Sequence, residues 1–390
     1  MTRDLRVMAV SLFAWGVGEG MFLIFMTLTL QNWGADPVKI GAILSAMGAA
    51  MALVQIPAGM LADRVGSRPI MWASWVLGTI SAAVMALAPS LTIFVAGLLI
   101  YGLTSFVTAP MNSYIASVRG KWSVERALTV VSAMFHLGAF AGPLIGGFVG
   151  ERFGLQIVYQ IAAVIFLGST IIVLTARKRP EEEAHEVHAV QPGLASNPRF
   201  FGLIALIFLS LFTMILPQPL TPNYLQNQHG FDLQQIGIIG AAGSLGNALI
   251  MLAAGHLNAT AGFLLGQAFV GLFALFLWRS EAPLLLTVGY FFIGGYRLCR
   301  SMALAYARSI VKVSEVGLAF GLVEFANAMA SIVAPLAAGF LYDSNPQQVY
   351  TVSLASIGVM AVVNFFLLNS AKAPQPAPTA ARPVEGIEAE

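Results

Sequence analysis

VKIGAILSAMGAAMALVQIPAGMLADRVGSRP, residues 38–69, runs from Ile40 to Ala62 without a charged side chain and then sets down Asp63, Arg64 and Arg68. A membrane-crossing helix needs roughly 20 apolar residues. The stretch therefore reads as one crossing that ends in a tight, positively charged turn. Gly59 permits close helix packing, and Gly66 permits the turn itself. Asp63 can accept bonds from a helix N-terminus or an arginine, while Arg64 and Arg68 sit at the membrane interface. Such a cluster can latch two bundles in one state and release them in another, or it can serve only to fix topology.

Runs of the same kind recur along the whole chain, at about 7–30, 38–61, 70–89, 91–117, 127–150, 156–176, 200–226, 233–257, 261–278, 284–309, 317–342 and 349–369. Of the 390 residues, 58% are hydrophobic and only 10% charged, with a mean hydropathy of +0.80. Soluble proteins carry about 25% charged residues, so this chain lacks the charge to cover a water-facing surface. Barrel strands alternate with period two, and these runs do not. The first run is too long for a secretory leader and has eleven more behind it. The single cysteine, Cys299, lies inside a run, so no intrachain disulfide forms. The net charge of +2 gives no reason to expect nucleic acid.

Basic residues divide unevenly between the two sides. Arg3, Arg6, Arg64, Arg68, Arg119, Lys121, Arg126, Arg177, Lys178, Arg179, Arg199, Arg308, Lys312, Lys372 and Arg382 fall on one side, and Lys39, Arg152 and Arg279 on the other. Lysine and arginine accumulate in the cytoplasm, which puts both termini there and requires an even number of crossings. Domain boundaries follow: a six-helix bundle over 1–176, a charged cytoplasmic linker over 177–199, a second six-helix bundle over 200–370, and a Pro/Ala-rich disordered tail over 371–390. GPLIGGFVGERFG (142–154) and APLAAGFLYDSNP (334–346) stand 192 residues apart. This is the mark of an internal repeat, whose binding site lies between halves that rock against each other. The same offset lays Tyr114 on Tyr306.

The pattern G-x-L-A-D-R-x-G-x-R, carried by Gly59, Leu61, Ala62, Asp63, Arg64, Gly66 and Arg68, resembles the loop signature of the major facilitator superfamily. Ser67 departs from the usual basic pair, and the matching loop of the second half, AAGHLNATAG (253–262), has lost its charges. The resemblance implies an all-α membrane protein of twelve transmembrane helices in two pseudo-symmetric six-helix bundles. It assigns Gly59, Asp63, Arg64, Gly66 and Arg68 to a conformational switch, has spans one, four, seven and ten line a central cavity, and carries a monomeric state with it. GAFAGPLIGG (138–147), with Gly138, Gly142, Pro143, Gly146 and Gly147, resembles the fifth-helix motif of the family's drug:proton antiporters. Its glycines make a smooth face that another helix can approach closely. Span four lacks the arginine that antiporters often carry early in that helix.

Five ionisable side chains besides cysteine and tyrosine fall well inside spans: Glu19, His136, Arg297, Arg300 and Glu324. A charge at a helix centre costs about 2.5–3.5 kcal/mol on insertion scales, so these groups need partners or a wet cavity. Glu19, among three glycines in WGVGEGMF (15–22), is the candidate proton-coupling site, with His136 as a relay or as a hydrogen-bonded packing residue. Glu19, Asn112, Tyr114, Arg297, Arg300 and Glu324 are the candidate cavity residues, Arg300 and Glu324 chiefly as a pair within one bundle. LPQPLTPNY (216–224) is either an outer hinge or a ragged helix end. The partners implied are protons, a small-molecule substrate and the lipid bilayer. No cofactor is called for, and no metal site, nucleotide loop or nucleophile–base set points to an enzyme. The expected function is proton-coupled export of a small, largely apolar compound. Carriage of an anionic metabolite, resting on Arg297 and Arg300, or translocation of a lipid are the alternatives.

Overall fold

A computed structural model describes residues 1–177, 198–311 and 315–370. The expected linker and tail therefore lie almost wholly outside the described residues, as do the surroundings of Gly59 and the side chains of Asp63 and Arg64. Every regular element described is helical.

Sixteen α-helices assemble twelve crossings among the described residues. In the first half these are α1 (Arg3–Leu23) continued by α2 (Met26–Asn32), α3 (Pro37–Val65), α4 (Ser67–Ala86), α5 (Leu91–Leu103) joined through the 3-10 turn Thr104–Val107 to α6 (Thr108–Ser117), α7 (Val124–Phe153) and α8 (Leu155–Leu174). In the second half they are α9 (Pro198–Ile215) with α10 (Thr221–His229), α11 (Leu233–Ala254), α12 (Ala259–Arg279), α13 (Pro283–Phe291) joined through the 3-10 turn Phe292–Gly294 to α14 (Gly295–Ile310), α15 (Val316–Ser344) and α16 (Gln348–Ser370). Ten stretches are by themselves long and apolar enough to cross a bilayer. The other two crossings, α9–α10 and α13–α14, are built from shorter pieces. The prolines of 216–224 do interrupt their helix, between Ile215 and Thr221. A matching break at Ile24 and Phe25, between α1 and α2, has no proline to announce it.

Local chemistry fixes the ends. Thr2 caps α1 through Leu5 N at 3.2 Å, Ser123 caps α7 through Arg126 N at 3.2 Å, and Asp232 with Gln235 forms a capping box on α11. These groups satisfy N–H donors that a helix cannot satisfy itself. Gly66 alone separates α3 from α4, at φ 87° and ψ 159°, a region open essentially only to glycine.

Lipid offers no hydrophobic drive for helix association, so small residues and interhelical hydrogen bonds do that work. Gly138, Gly142 and Gly146 of α7 lie against the α1 backbone, and Gly16 and Gly20 of α1 return the contact. A Cβ at any of the five would collide with backbone or with Pro143. Deeper in that bundle Trp75 Nε1 donates to Ser11 Oγ and Ser169 Oγ, both at 3.0 Å. The second bundle has its own buried set, Asn364 Nδ2 donating to Ser210 Oγ at 2.9 Å and to Gln267 Oε1 at 3.2 Å.

The bundles meet along two seams related by the internal repeat. On one, α11 lies on α7: a Cβ at Gly237 would run into the Pro143 carbonyl oxygen, and one at Gly147 would stand 2.6 Å from the Leu233 carbonyl oxygen. On the other, α3 lies on α15: Gly41 faces the Pro335 carbonyl in the same way, and Gly339 faces the Pro37 carbonyl, 2.6 Å from its would-be Cβ. Both seams lie in the half of the molecule away from the termini. There, too, stand the hydrogen bonds that join the bundles among the described residues. Gln31 exchanges bonds with Asn223 and Asn227 at 2.7–3.1 Å, and Glu151 Oε2 accepts from Leu233 N at 2.9 Å. The molecule is thus closed at its far end.

Candidate functional site

Where the seams stop, a cavity of about 420 Å³ opens between the bundles. Its walls come from both halves, α1–α3 and α7 on one side and α9–α11 and α13–α15 on the other. Most of the lining is apolar, supplied by side chains such as Met47, Met51, Phe135, Tyr290 and Ile293. Against that surface stand three ionisable groups besides tyrosine, Glu19, His136 and Arg297. Counted along α1 from Arg3, Glu19 lies about 24 Å from the end that carries the termini, at 1.5 Å per residue.

Each of the three is placed by local sequence. The glycines around Glu19 let α1 pack tightly on α7, which turns the carboxyl away from that contact and toward the cavity. Trp15, one turn earlier, donates its indole N–H to Glu19 Oε2 at 3.2 Å. Arg297 enters from the first turn of α14, after the helix break at Phe292–Gly294, and interacts through charge with both Glu19 and His136. The side chain is exposed to the cavity. It takes no part in the close ion pairs of the described residues, Arg3–Asp4 (3.9 Å) and Arg300–Glu324 (2.7 Å).

The remaining expected residues lie elsewhere. Arg300 and Glu324 are not in the cavity wall; they form a two-pronged pair between α14 and α15, Nε–Oε1 at 3.2 Å and Nη2–Oε2 at 2.7 Å. Arg300 stands three positions after Arg297 on α14, which carries its side chain toward α15 instead. Tyr114 is buried in the first bundle, its hydroxyl donating to the Arg177 carbonyl at 3.1 Å. Asn112 is exposed on α6 and lines no part of the cavity. Among the described residues, span four contributes none to the lining of this cavity. The glycine and proline faces of α3, α7, α11 and α15 bring those helices forward in its place. Of the other polar groups, Asn247 lines the cavity, while Asn327 accepts from Tyr296 at 2.5 Å.

Among the switch residues, Gly59, Asp63 and Arg64 belong to the last turns of α3, and Arg68 lies over the Trp72 ring at 3.9 Å. Within the fifth-helix motif, Gly138, Gly142 and Gly146 face α1, whereas Pro143 and Gly147 reach across to α11. One motif therefore serves both the bundle core and the seam between bundles.

The profile of the Major Facilitator Superfamily matches residues 8–295 and 203–389. The class E tetracycline resistance protein of Escherichia coli is 26% identical over 379 residues, covering 88% of this chain and 89% of that one. Multidrug resistance protein 1 of Bacillus subtilis is 22% identical over 376 residues, 92% and 95% of the two chains. Other relatives align over about half their length, such as a transporter of Methanocaldococcus jannaschii at 26% over 183 residues, 46% of each chain. Among solved structures, a point mutant of the nucleoside transporter NupG superposes with a TM-score of 0.83 at 15% identity, over 93% of this chain and 99% of that one.

Proposed function

The chain belongs to the major facilitator superfamily, a family of membrane transporters, and from that premise we propose that it exports a small, largely apolar compound across the inner membrane in exchange for protons. The reading is carried by one observation: a carboxylate, an imidazole and a guanidinium outside any close ion pair face a single apolar-walled cavity between two bundles closed at one end. Glu19 takes and gives the proton, and His136 relays it. Met47, Met51 and Phe135 supply a tolerant apolar surface, since thioether and ring contacts adapt to varied shapes. Relatives named for tetracycline and multidrug resistance support export over uptake.

The charge asymmetry of the loops places the termini in the cytoplasm, so the closed seams face outward and the cavity takes its load from inside. Turning over requires both glycine seams to part while the other end closes. There Gly59, Asp63, Arg64, Gly66 and Arg68 form the switch, and the linker over 177–199 lets the bundles rock. The protein works as a monomer, each chain containing a whole cavity.

Vesicles reconstituted with the protein and loaded with a pH-sensitive dye test this reading. A panel of lipophilic cations, neutral compounds and organic anions is added, with Glu19→Gln in parallel. Substrate-driven proton movement that disappears in Glu19→Gln is the expected result. Substrate movement without protons, or unchanged coupling in the variant, removes Glu19 from its role. Arg297 favours a second reading, an anionic cargo, because an exposed guanidinium outside any close ion pair is a ready acceptor-binding group. Loss of organic-anion binding in Arg297→Ala, with proton coupling absent, would establish that reading instead.

A further inference from the structure

The polar groups of the cavity wall are shared unevenly between the bundles. Beside Glu19 and His136, the first bundle offers chiefly apolar side chains, among them Leu23, Ile24, Leu44, Met47 and Phe135. The second bundle sets Ser244 and Asn247 of α11 and Arg297 of α14 against that face. Three positions apart, Ser244 and Asn247 share one side of α11. The helix break before α14 lies directly on this stretch. A Cβ at Gly294 would stand 2.8 Å from Asn247 N, and one at Gly246 would collide with the Phe291 carbonyl. Arg297 follows Gly294 by three positions, on the same side of the chain's turn into α14. A long helical side chain leans back toward the N-terminus of its helix, which here means toward the break and Asn247. The amide, the hydroxyl and the guanidinium thus make one ledge along the second bundle.

That ledge has hydrogen-bonding capacity to spare, unlike its neighbours. Tyr296 is bonded to Asn327, Arg300 to Glu324, Gln218 Nε2 to the Met214 carbonyl at 2.7 Å and Ser331 Oγ to the Asn327 carbonyl at 2.9 Å. Among the described residues, the side chains of Ser244, Asn247 and Arg297 make no hydrogen bond. A guanidinium only donates, and an amide nitrogen and a hydroxyl add further donors. An acceptor oxygen is therefore what the ledge fits. We infer that Ser244, Asn247 and Arg297 set specificity by binding a neutral carbonyl oxygen on one edge of the cargo, while its apolar body lies against the first bundle. An anion suits the site less. Glu19 faces it across the cavity with charge of the same sign when ionised, and an apolar wall cannot offset the desolvation of a full charge. The inference deepens the export reading and rests on this cavity being where cargo binds.

Binding of tritiated probes to the full chain in lipid nanodiscs tests it, with empty nanodiscs correcting for partition into lipid. The probes are matched pairs that differ by a carbonyl in place of a methylene, fluorenone with fluorene and xanthone with xanthene. The protein is expected to prefer each ketone by about 10-fold, the effect of a hydrogen bond from a charged donor. In Asn247→Leu and in Arg297→Met the preference is expected to fall below about 3-fold. Thermal melts establish that each variant is folded, and Ser244→Ala provides the reading if a larger change unfolds the protein. No preference for the ketones in the unaltered protein, or a preference unchanged in the folded variants, overturns the ledge as the specificity site. Tighter binding of the fluorene carboxylate anion than of fluorenone overturns the neutral cargo in favour of an anionic one. None of these measurements involves proton movement, so failure of the export reading, seen as unchanged coupling in Glu19→Gln, is registered separately.

Discussion

Replacing Gly237 with alanine adds one Cβ to the seam between the bundles and nothing else. In the closed seam that atom meets the Pro143 carbonyl oxygen and stands 3.1 Å from the Gly147 Cα. These are backbone atoms, which cannot rotate out of the way, so α11 and α7 must separate. Forcing extra atoms into a packed contact costs about 1–3 kcal/mol. Within α11 the change is favourable, by about 1 kcal/mol of helix propensity, so the second bundle keeps its fold and the penalty falls on the closed state. A bias of about 1–3 kcal/mol shifts a two-state equilibrium by about 5–150-fold. The assay is labelling of Ser244→Cys, a cavity position, in a Cys299→Ala background by a membrane-impermeant maleimide applied outside the cell. Labelling in Gly237→Ala is expected to rise by about that factor, and Gly41→Ala at the related seam is expected to act in the same direction. Unchanged labelling in a normally expressed Gly237→Ala protein would refute the seam as the outer gate.

Three further outcomes are expected. Trp75→Phe removes the donor shared by Ser11 and Ser169 in the buried core of the first bundle and should lower stability by about 1–3 kcal/mol, read as a lower melting temperature in detergent. Gly66→Ala forces a side chain into the φ 87°, ψ 159° turn between α3 and α4; a loss of about 1–3 kcal/mol is expected, and an unchanged melt would show that the turn rearranges. Tyr114→Phe gives up one bond to the Arg177 carbonyl at a cost of about 1 kcal/mol, and transport affinity should be unaffected, as it would not be if Tyr114 touched cargo.

How far the site could be read from sequence depended on burial. Glu19 and Arg297 stood out because a charge is so costly inside a crossing that its presence demands a cavity or a partner. The same rule cannot say which of the two it is. Depth along the spans already paired Arg300 with Glu324 and set Arg297 toward the cavity, and on α14 the two side chains part company, one to the cavity and one to Glu324. Tyr114 carries no such cost, so nothing in the chain showed that it is buried in a bundle core. The prolines of 216–224 announced a break, while the break at Ile24 and Phe25 arises without one.

Crossing number, the division into two halves and the family all follow from the chain alone, because lipid demands long apolar helices and the charged turns between them are local signals. The tertiary structure decided which surfaces of those helices meet. Gly147 and Pro143 belong to the same motif as Gly142, but only the packing shows that they reach the other bundle and form half of a repeated seam. That division has a physical cause. Solvent exclusion acts on each segment separately, whereas contact between helices depends on where two segments distant in sequence place their small residues, and a single chain read residue by residue does not contain that pairing.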